Sequence, residues 1–74
     1  MTIEEARISL PLPLTPQQIR SLRERHGVTK KAFASLLNVS TTSVEEWESG
    51  DHQPSPFALK LLSVVEKHGL EILA

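Results

Sequence analysis

The chain has no cysteine in 74 residues. That excludes a disulfide framework, a thiolate zinc site and a cysteine nucleophile, and it fits a reducing compartment, with the cytoplasm as the expected location. Only three glycines are present, and none forms a phosphate-binding loop or flanks a serine as a nucleophile elbow, so no enzyme is expected. No apolar run exceeds a few residues. The opening Met1-Thr2-Ile3-Glu4-Glu5-Ala6-Arg7 carries acids where a secretory signal needs a basic stretch and then an apolar one, so neither export nor a membrane span is expected. An excess of charge of one sign is also missing: the formal net charge is -1, and composition alone gives no push toward nucleic acid.

The distribution of charge says more. Arg20, Arg23, Arg25, Lys30 and Lys31 face one acid, Glu24, between positions 20 and 31. Glu45, Glu46, Glu48, Asp51, Glu66 and Glu71 outnumber Lys60 and Lys67 in the second half. Such an internal dipole suits a domain that meets a phosphate backbone with one face, and equally describes ordinary solvated helix faces. At this length a single domain with a small core is implied, with a net stability of roughly a few kcal/mol.

Four helices are predicted from their end signals. Thr15-Pro16-Gln17-Gln18 reads as an N-cap, a proline at the first helical position and a capping-box glutamine, with Leu14 and Ile19 as hydrophobic staple. This helix runs from about Pro16 to His26, buries Ile19 and Leu22, ends at Gly27 and lines its exposed side with its basic residues. Thr29 caps a second helix, about Lys30 to Leu37, with Val28 and Phe33 as staple and Phe33, Leu36 and Leu37 inward. Asn38 tolerates the left-handed conformation that ends it. Ser40 caps a third helix, about Thr41 to Ser49, with Val39 and Val44 as staple and Gly50 as stop. Ser55-Pro56 opens a fourth, where Leu59, Leu62 and Val65 form a stripe flanked by Phe57 and Leu61, and Gly69 closes it. The alternation of Ile8, Leu10, Leu12 and Leu14 with Ser9, Pro11 and Pro13 demands extended backbone, fitting either an edge strand or a polyproline-like strap.

The second and third helices, joined by Asn38-Val39-Ser40, match the helix-turn-helix pattern, in which a short turn makes the helices cross steeply. Ala34 lets the two backbones approach. At roughly 100° per residue, Val44 and Trp47 lie within about 60° of each other and define the buried face. Thr41, Thr42, Glu45, Glu46 and Ser49 then fall on the other arc, where groove-facing residues belong. Threonines can donate, accept and contact the thymine methyl, and glutamates can accept from cytosine N4. The same glutamates are equally ordinary residues of a solvated helix face.

These residues resemble the Xre, or Cro/repressor-type, helix-turn-helix family, and within it the antitoxin-like, HigA-type branch. The resemblance covers about residues 15 to 73. It is carried by Ile19-Arg20-Ser21-Leu22-Arg23-Glu24-Arg25-His26-Gly27-Val28-Thr29, by Phe33-Ala34-Ser35-Leu36-Leu37-Asn38-Val39-Ser40, by Val44-Glu45-Glu46-Trp47-Glu48-Ser49-Gly50, and by Pro54-Ser55-Pro56 with Ala58-Leu59-Lys60-Leu61-Leu62.

The resemblance implies an all-α, lambda-repressor-like domain of four to five short helices over residues 15–74, which the alternating segment precedes as an extended arm over residues 1–14. It implies a DNA-binding transcriptional repressor that binds double-stranded operator DNA as a homodimer, and an antitoxin that autoregulates its operon with a messenger-RNA-cleaving toxin as partner. Position by position, Thr41, Thr42, Glu45 and Glu46 fall where the family reads bases. Thr29, Lys30, Lys31, Ser40, Ser43 and Ser49 fall where it touches phosphates. Lys30 replaces a usual glutamine, which should raise salt dependence, and Asn38 replaces the usual turn glycine. Candidate dimer or toxin contacts are Leu10, Leu12 and Leu14, or Leu70, Ile72 and Leu73. The rival reading is a protein-interaction module that binds a partner without binding DNA. His26, His52 and His68 lie near three separate helix ends without ligand spacing, so no metal or cofactor is expected.

Overall fold

Each helix begins where a hydroxyl side chain meets an otherwise unpaired backbone N–H. In a computed structural model, which describes residues 14–73, four α-helices and a final 3-10 turn follow one another: α1 Pro16–Arg25, α2 Lys30–Leu37, α3 Thr41–Ser49, α4 Pro56–His68 and the 3-10 segment Leu70–Leu73. The backbone N–H of Gln18 donates to Thr15 Oγ1 at 3.1 Å while that of Thr15 donates to Gln18 Oε1 at 2.8 Å, which completes the capping box. Thr29 Oγ1 accepts from Ala32 N–H at 3.1 Å, Ser40 Oγ from Ser43 N–H at 3.0 Å and Ser55 Oγ from Ala58 N–H at 3.1 Å. Pro16 and Pro56 occupy first-turn positions that have no backbone acceptor to lose. Helix α1 stops at Arg25, one residue short of the sequence expectation, with His26 as its C-cap.

The junction between α2 and α3 is three residues long. Asn38 takes the left-handed conformation, φ 60° and ψ 43°. Its N–H reaches Ser35 O at 3.2 Å and that of Val39 reaches Ala34 O at 3.0 Å, the paired bonds of a Schellman turn. A residue with a Cβ costs roughly 1–2 kcal/mol in this region, less for Asn, whereas Gly avoids the clash but loses more chain entropy. Asn38→Gly is therefore expected to raise unfolding free energy by about 0.5 kcal/mol and Asn38→Ala to lower it by about 1 kcal/mol, measured by urea titration. A higher midpoint for Ala than for Gly would contradict the assigned turn.

One cluster holds the helices together: Ile19 and Leu22 of α1, Phe33, Ala34 and Leu37 of α2, Val44 and Trp47 of α3, Ala58, Leu62 and Val65 of α4, and Leu70. Leu14, Val28 and Val39, each placed just before a cap, pack on its edge as the staple pattern requires. Leu36, Leu61 and Leu73 also lie at its margin. On α4 the buried stripe is Ala58, Leu62 and Val65, with Leu59, expected in the stripe, only half-buried. Phe57 is 74% exposed. No helix among the described residues is long and apolar enough to cross a membrane. Of the residues expected to contact a partner, Leu10 and Leu12 lie outside the described residues. Leu70 corrects the expectation: it is buried in the chain's own core. Leu14 and Leu73 pack against that core, and Ile72 is exposed.

Candidate nucleic-acid interface

Helix α3 is fixed on one side and open on the other. Val44 and Trp47 anchor its inner face, and Glu48, four residues after Val44, falls on the same face because i and i+4 are neighbours on a helix. The Glu48 side chain is 1% exposed. Arg23 of α1 meets it in a two-pronged pair: Nε donates to Oε2 at 2.6 Å and one terminal nitrogen to Oε1 at 3.1 Å, while the other donates to the Val28 carbonyl at 3.0 Å. Arg20 Nε stands 3.5 Å from Glu48 Oε1. The Glu48 hydrogen bond raises the Arg23 pKa above its ordinary value against the opposing pull of burial, so the guanidinium is charged throughout the physiological range.

This corrects, for Arg23, the expectation that the basic residues of α1 line its exposed side, while Arg20 and Arg25 are exposed as expected. Arg23, with a side chain 13% exposed, is turned into the fold and Arg20 leans toward the same carboxylate. A signal for the pair was present in the sequence. Ile19-x-x-Leu22-Arg23 and Val44-x-x-Trp47-Glu48 repeat one arrangement, two apolar anchors followed by a charged residue at i+4 from the first, with opposite charges in the two helices. Assigning every charge to solvent hides it.

The outer face of α3 carries the residues expected to read bases. Thr42 and Glu45 are exposed, whereas Thr41 and Glu46 are half-buried. Among the residues expected at phosphates, Thr29, Lys31, Ser40 and Ser49 are exposed, and Lys30 and Ser43 are half-buried. Some of these groups are already engaged. Thr29 Oγ1 and Ser40 Oγ cap their helices, Ser43 Oγ lies 2.9 Å from Ser40 Oγ, and Ser49 Oγ donates to the Glu46 carbonyl at 3.2 Å. Lys30 and Lys31 open α2, where the unpaired N–H groups and the helix dipole favour an anion.

A further residue lies beside this surface, weighed from the sequence only as a metal ligand. His52, in the turn after α3, folds back so that Nδ1 lies 3.4 Å from Glu46 Oε2. Its backbone N–H points at the Glu46 carbonyl, 3.4 Å away, an oxygen that also accepts from Gly50 N–H at 3.0 Å. The other two histidines lie at the ends of α1 and α4.

Residues 19–65, from Ile19 in α1 to Val65 in α4, match the family described as helix-turn-helix. The chain belongs to the helix-turn-helix family. This helix-turn-helix domain is 37% identical over 57 residues to antitoxin HigA-2 of Vibrio cholerae, a match covering 77% of this chain and 55% of that protein. It is 39% identical over 49 residues to the HTH-type transcriptional regulator YiaG of Escherichia coli, covering 66% and 51%. Antitoxin MqsA of Escherichia coli is 29% identical over 55 residues, covering 74% and 42%. The chain thus spans about half the length of the relatives it matches. The Xre-like, all-α architecture expected from the sequence is the one found.

Proposed function

We propose that the chain is a sequence-specific DNA-binding regulator that lays α3 in the major groove of double-stranded DNA. The observation that carries this reading is the two-sided character of α3, with Val44, Trp47 and Glu48 buried on one face and Thr42, Glu45 and Ser49 exposed on the other. A helix held this way presents short polar side chains at a fixed rotation, which base readout requires. In the proposed complex Thr41, Thr42, Glu45 and Glu46 face base edges. Lys30 and Lys31, with Thr29, Ser40, Ser43 and Ser49, face phosphates on either side.

The finer reading is a dimeric repressor acting as the antitoxin of a toxin–antitoxin pair and autoregulating its operon, with residues 1–14 as the arm that contacts a second copy or a messenger-RNA-cleaving toxin. The names of two relatives, both antitoxins, support it. A dimer would place two α3 helices about 34 Å apart on a palindromic site.

The test is a fluorescence-anisotropy titration against duplex DNA from upstream of its own coding sequence and against a scrambled duplex, repeated at several salt concentrations. Selective binding with a salt slope of several counterions is expected, with two chains per site. Equal affinity for both duplexes at every salt would remove the groove assignment in favour of a protein-interaction module. Two substitutions sharpen the result. Thr42→Ala should change discrimination at one base position by about 1–3 kcal/mol. Lys30→Ala should weaken all sequences alike and lower the salt slope by about one. The opposite pattern, with Lys30 selective and Thr42 uniform, would mean that α2 rather than α3 enters the groove.

A further inference from the structure

The outer face of α4 belongs neither to the core nor to the surface proposed for DNA. At roughly 100° per residue, Phe57, Lys60, Val64 and Lys67 fall within an arc of about 80°, opposite the buried stripe of Ala58, Leu62 and Val65. Phe57 is 74% exposed, Lys60 and Lys67 are exposed, and Val64 is half-buried. Together they form an apolar strip edged by two cations. Phe57 and Ile72 are the large apolar side chains left exposed among the described residues, and an exposed phenylalanine beside lysines suits an occupant that is both apolar and acidic.

Candidate occupants fit that chemistry unequally. A second copy packed on the same face by a two-fold axis presents the same patch, which brings Lys60 and Lys67 against their own counterparts. A phosphate backbone would satisfy the lysines and leave Phe57 against water. The chain's own residues 1–13, which lie outside the described residues, supply both halves in sequence: Glu4 and Glu5 as acids, then Ile8, Leu10 and Leu12 alternating with Ser9, Pro11 and Pro13. The point of entry also fits. Thr15, at the start of α1, lines one open groove with Glu66 of α4, so the segment joins the domain beside the helix it would cover. The nine residues from Glu5 to Pro13 can span up to about 30 Å. Helix α4, 13 residues long, measures about 20 Å.

We propose that residues 4–12 dock across the outer face of their own α4, with Ile8 and Leu10 covering Phe57 and Val64, and Glu4 and Glu5 paired to Lys60 and Lys67. The segment that the reading above gives to a second copy or a toxin is then stored on its own domain, and either partner must displace it. This contact does not depend on the DNA-binding reading.

The test uses the absence of cysteine, which lets Thr2→Cys carry a nitroxide at a single site. In the nitrogen-15-labelled full chain at low ionic strength, the nitroxide is expected to broaden the amide signals of residues 57–67 and to leave those at the start of α2 and along α3 largely unchanged. Even broadening over the whole domain, or none, overturns the docking. A mixture of nitroxide-bearing chains without nitrogen-15 and nitrogen-15 chains without nitroxide is expected to show little broadening. Broadening of α4 in that mixture as strong as in the doubly labelled chain would overturn the intramolecular contact and assign the face to another copy's segment. Glu4→Gln with Glu5→Gln, and separately Phe57→Ser at its exposed position, are each expected to lower the docked fraction about two- to fivefold, the scale of one or two exposed ion pairs or of a partly covered apolar side chain. Added salt should reduce broadening in the parent and in Phe57→Ser more than in the double glutamine variant. Undiminished broadening in both variants would overturn the assigned contacts. The anisotropy titration decides the DNA-binding reading separately, whatever these spectra show.

Discussion

Arg23→Ala is expected to leave a large fraction of the chain, on the order of half, unfolded at 25 °C. The substitution strands the Glu48 carboxylate, 1% exposed, with Arg20 at 3.5 Å as the neighbouring cation left among the described residues, and it removes the donor to the Val28 carbonyl. Removing one partner of a buried pair costs about 3–5 kcal/mol, because the remaining charge keeps its desolvation penalty and loses its compensation. A domain of this size has roughly that much stability in total. An exposed pair would cost about 1 kcal/mol or less, so the two cases separate clearly in a urea titration followed by circular dichroism. The pair need not be strongly stabilising in net terms. Replacing both partners, as in Arg23→Met with Glu48→Leu, is expected to restore stability to within about 1 kcal/mol of the parent. A parent-like midpoint for Arg23→Ala alone would show that Glu48 reaches water in solution.

Phe33→Ala should have a comparable effect by a different route. Phe33 is completely buried, in the same cluster as residues of α1, α3 and α4. Deleting its ring removes the apolar transfer energy and leaves a cavity, together about 3–5 kcal/mol, which the better helix propensity of alanine offsets only slightly. Phe33→Leu retains most of the volume and should cost about 1–2 kcal/mol, leaving enough folded protein to assay. Its base preference should match the parent's, since Phe33 faces no groove. A changed preference in Phe33→Leu would mean that core packing sets the rotation of α3 and that the base contacts follow from it.

What the sequence revealed best was local. Thr15, Thr29, Ser40 and Ser55 each sit at a cap, and Asn38 and Gly50 each end a helix in the left-handed conformation, because these signals act over three or four residues and need no knowledge of the rest of the fold. The apolar faces of α1 to α3 followed from periodicity. Arg23 and Glu48 were harder, since they meet across 25 positions and each alone is indistinguishable from a solvated charge. Leu70 was misassigned for a related reason: a short apolar stretch after a helix is the same in sequence whether it folds back onto the core or waits for a partner. Of the candidate interface, the residues of α3 could be placed on an outer face from their angles. The return of His52 toward Glu46 could not, as it depends on how the chain turns after Gly50.

The division of α3 into a locked and an open face has a consequence for how such a domain can diversify. Positions 44, 47 and 48 answer to the core, and any change there is judged by folding. Thr42 and Glu45 are exposed and make no side-chain hydrogen bond among the described residues, so they are expected to be exchangeable with little effect on the fold, whereas Ser49 bonds the Glu46 carbonyl and the Asp51 N–H. If α3 reads bases as proposed, new preferences can then be reached through single substitutions on a scaffold that stays folded, and the same property makes these two positions a natural pair for a randomised library.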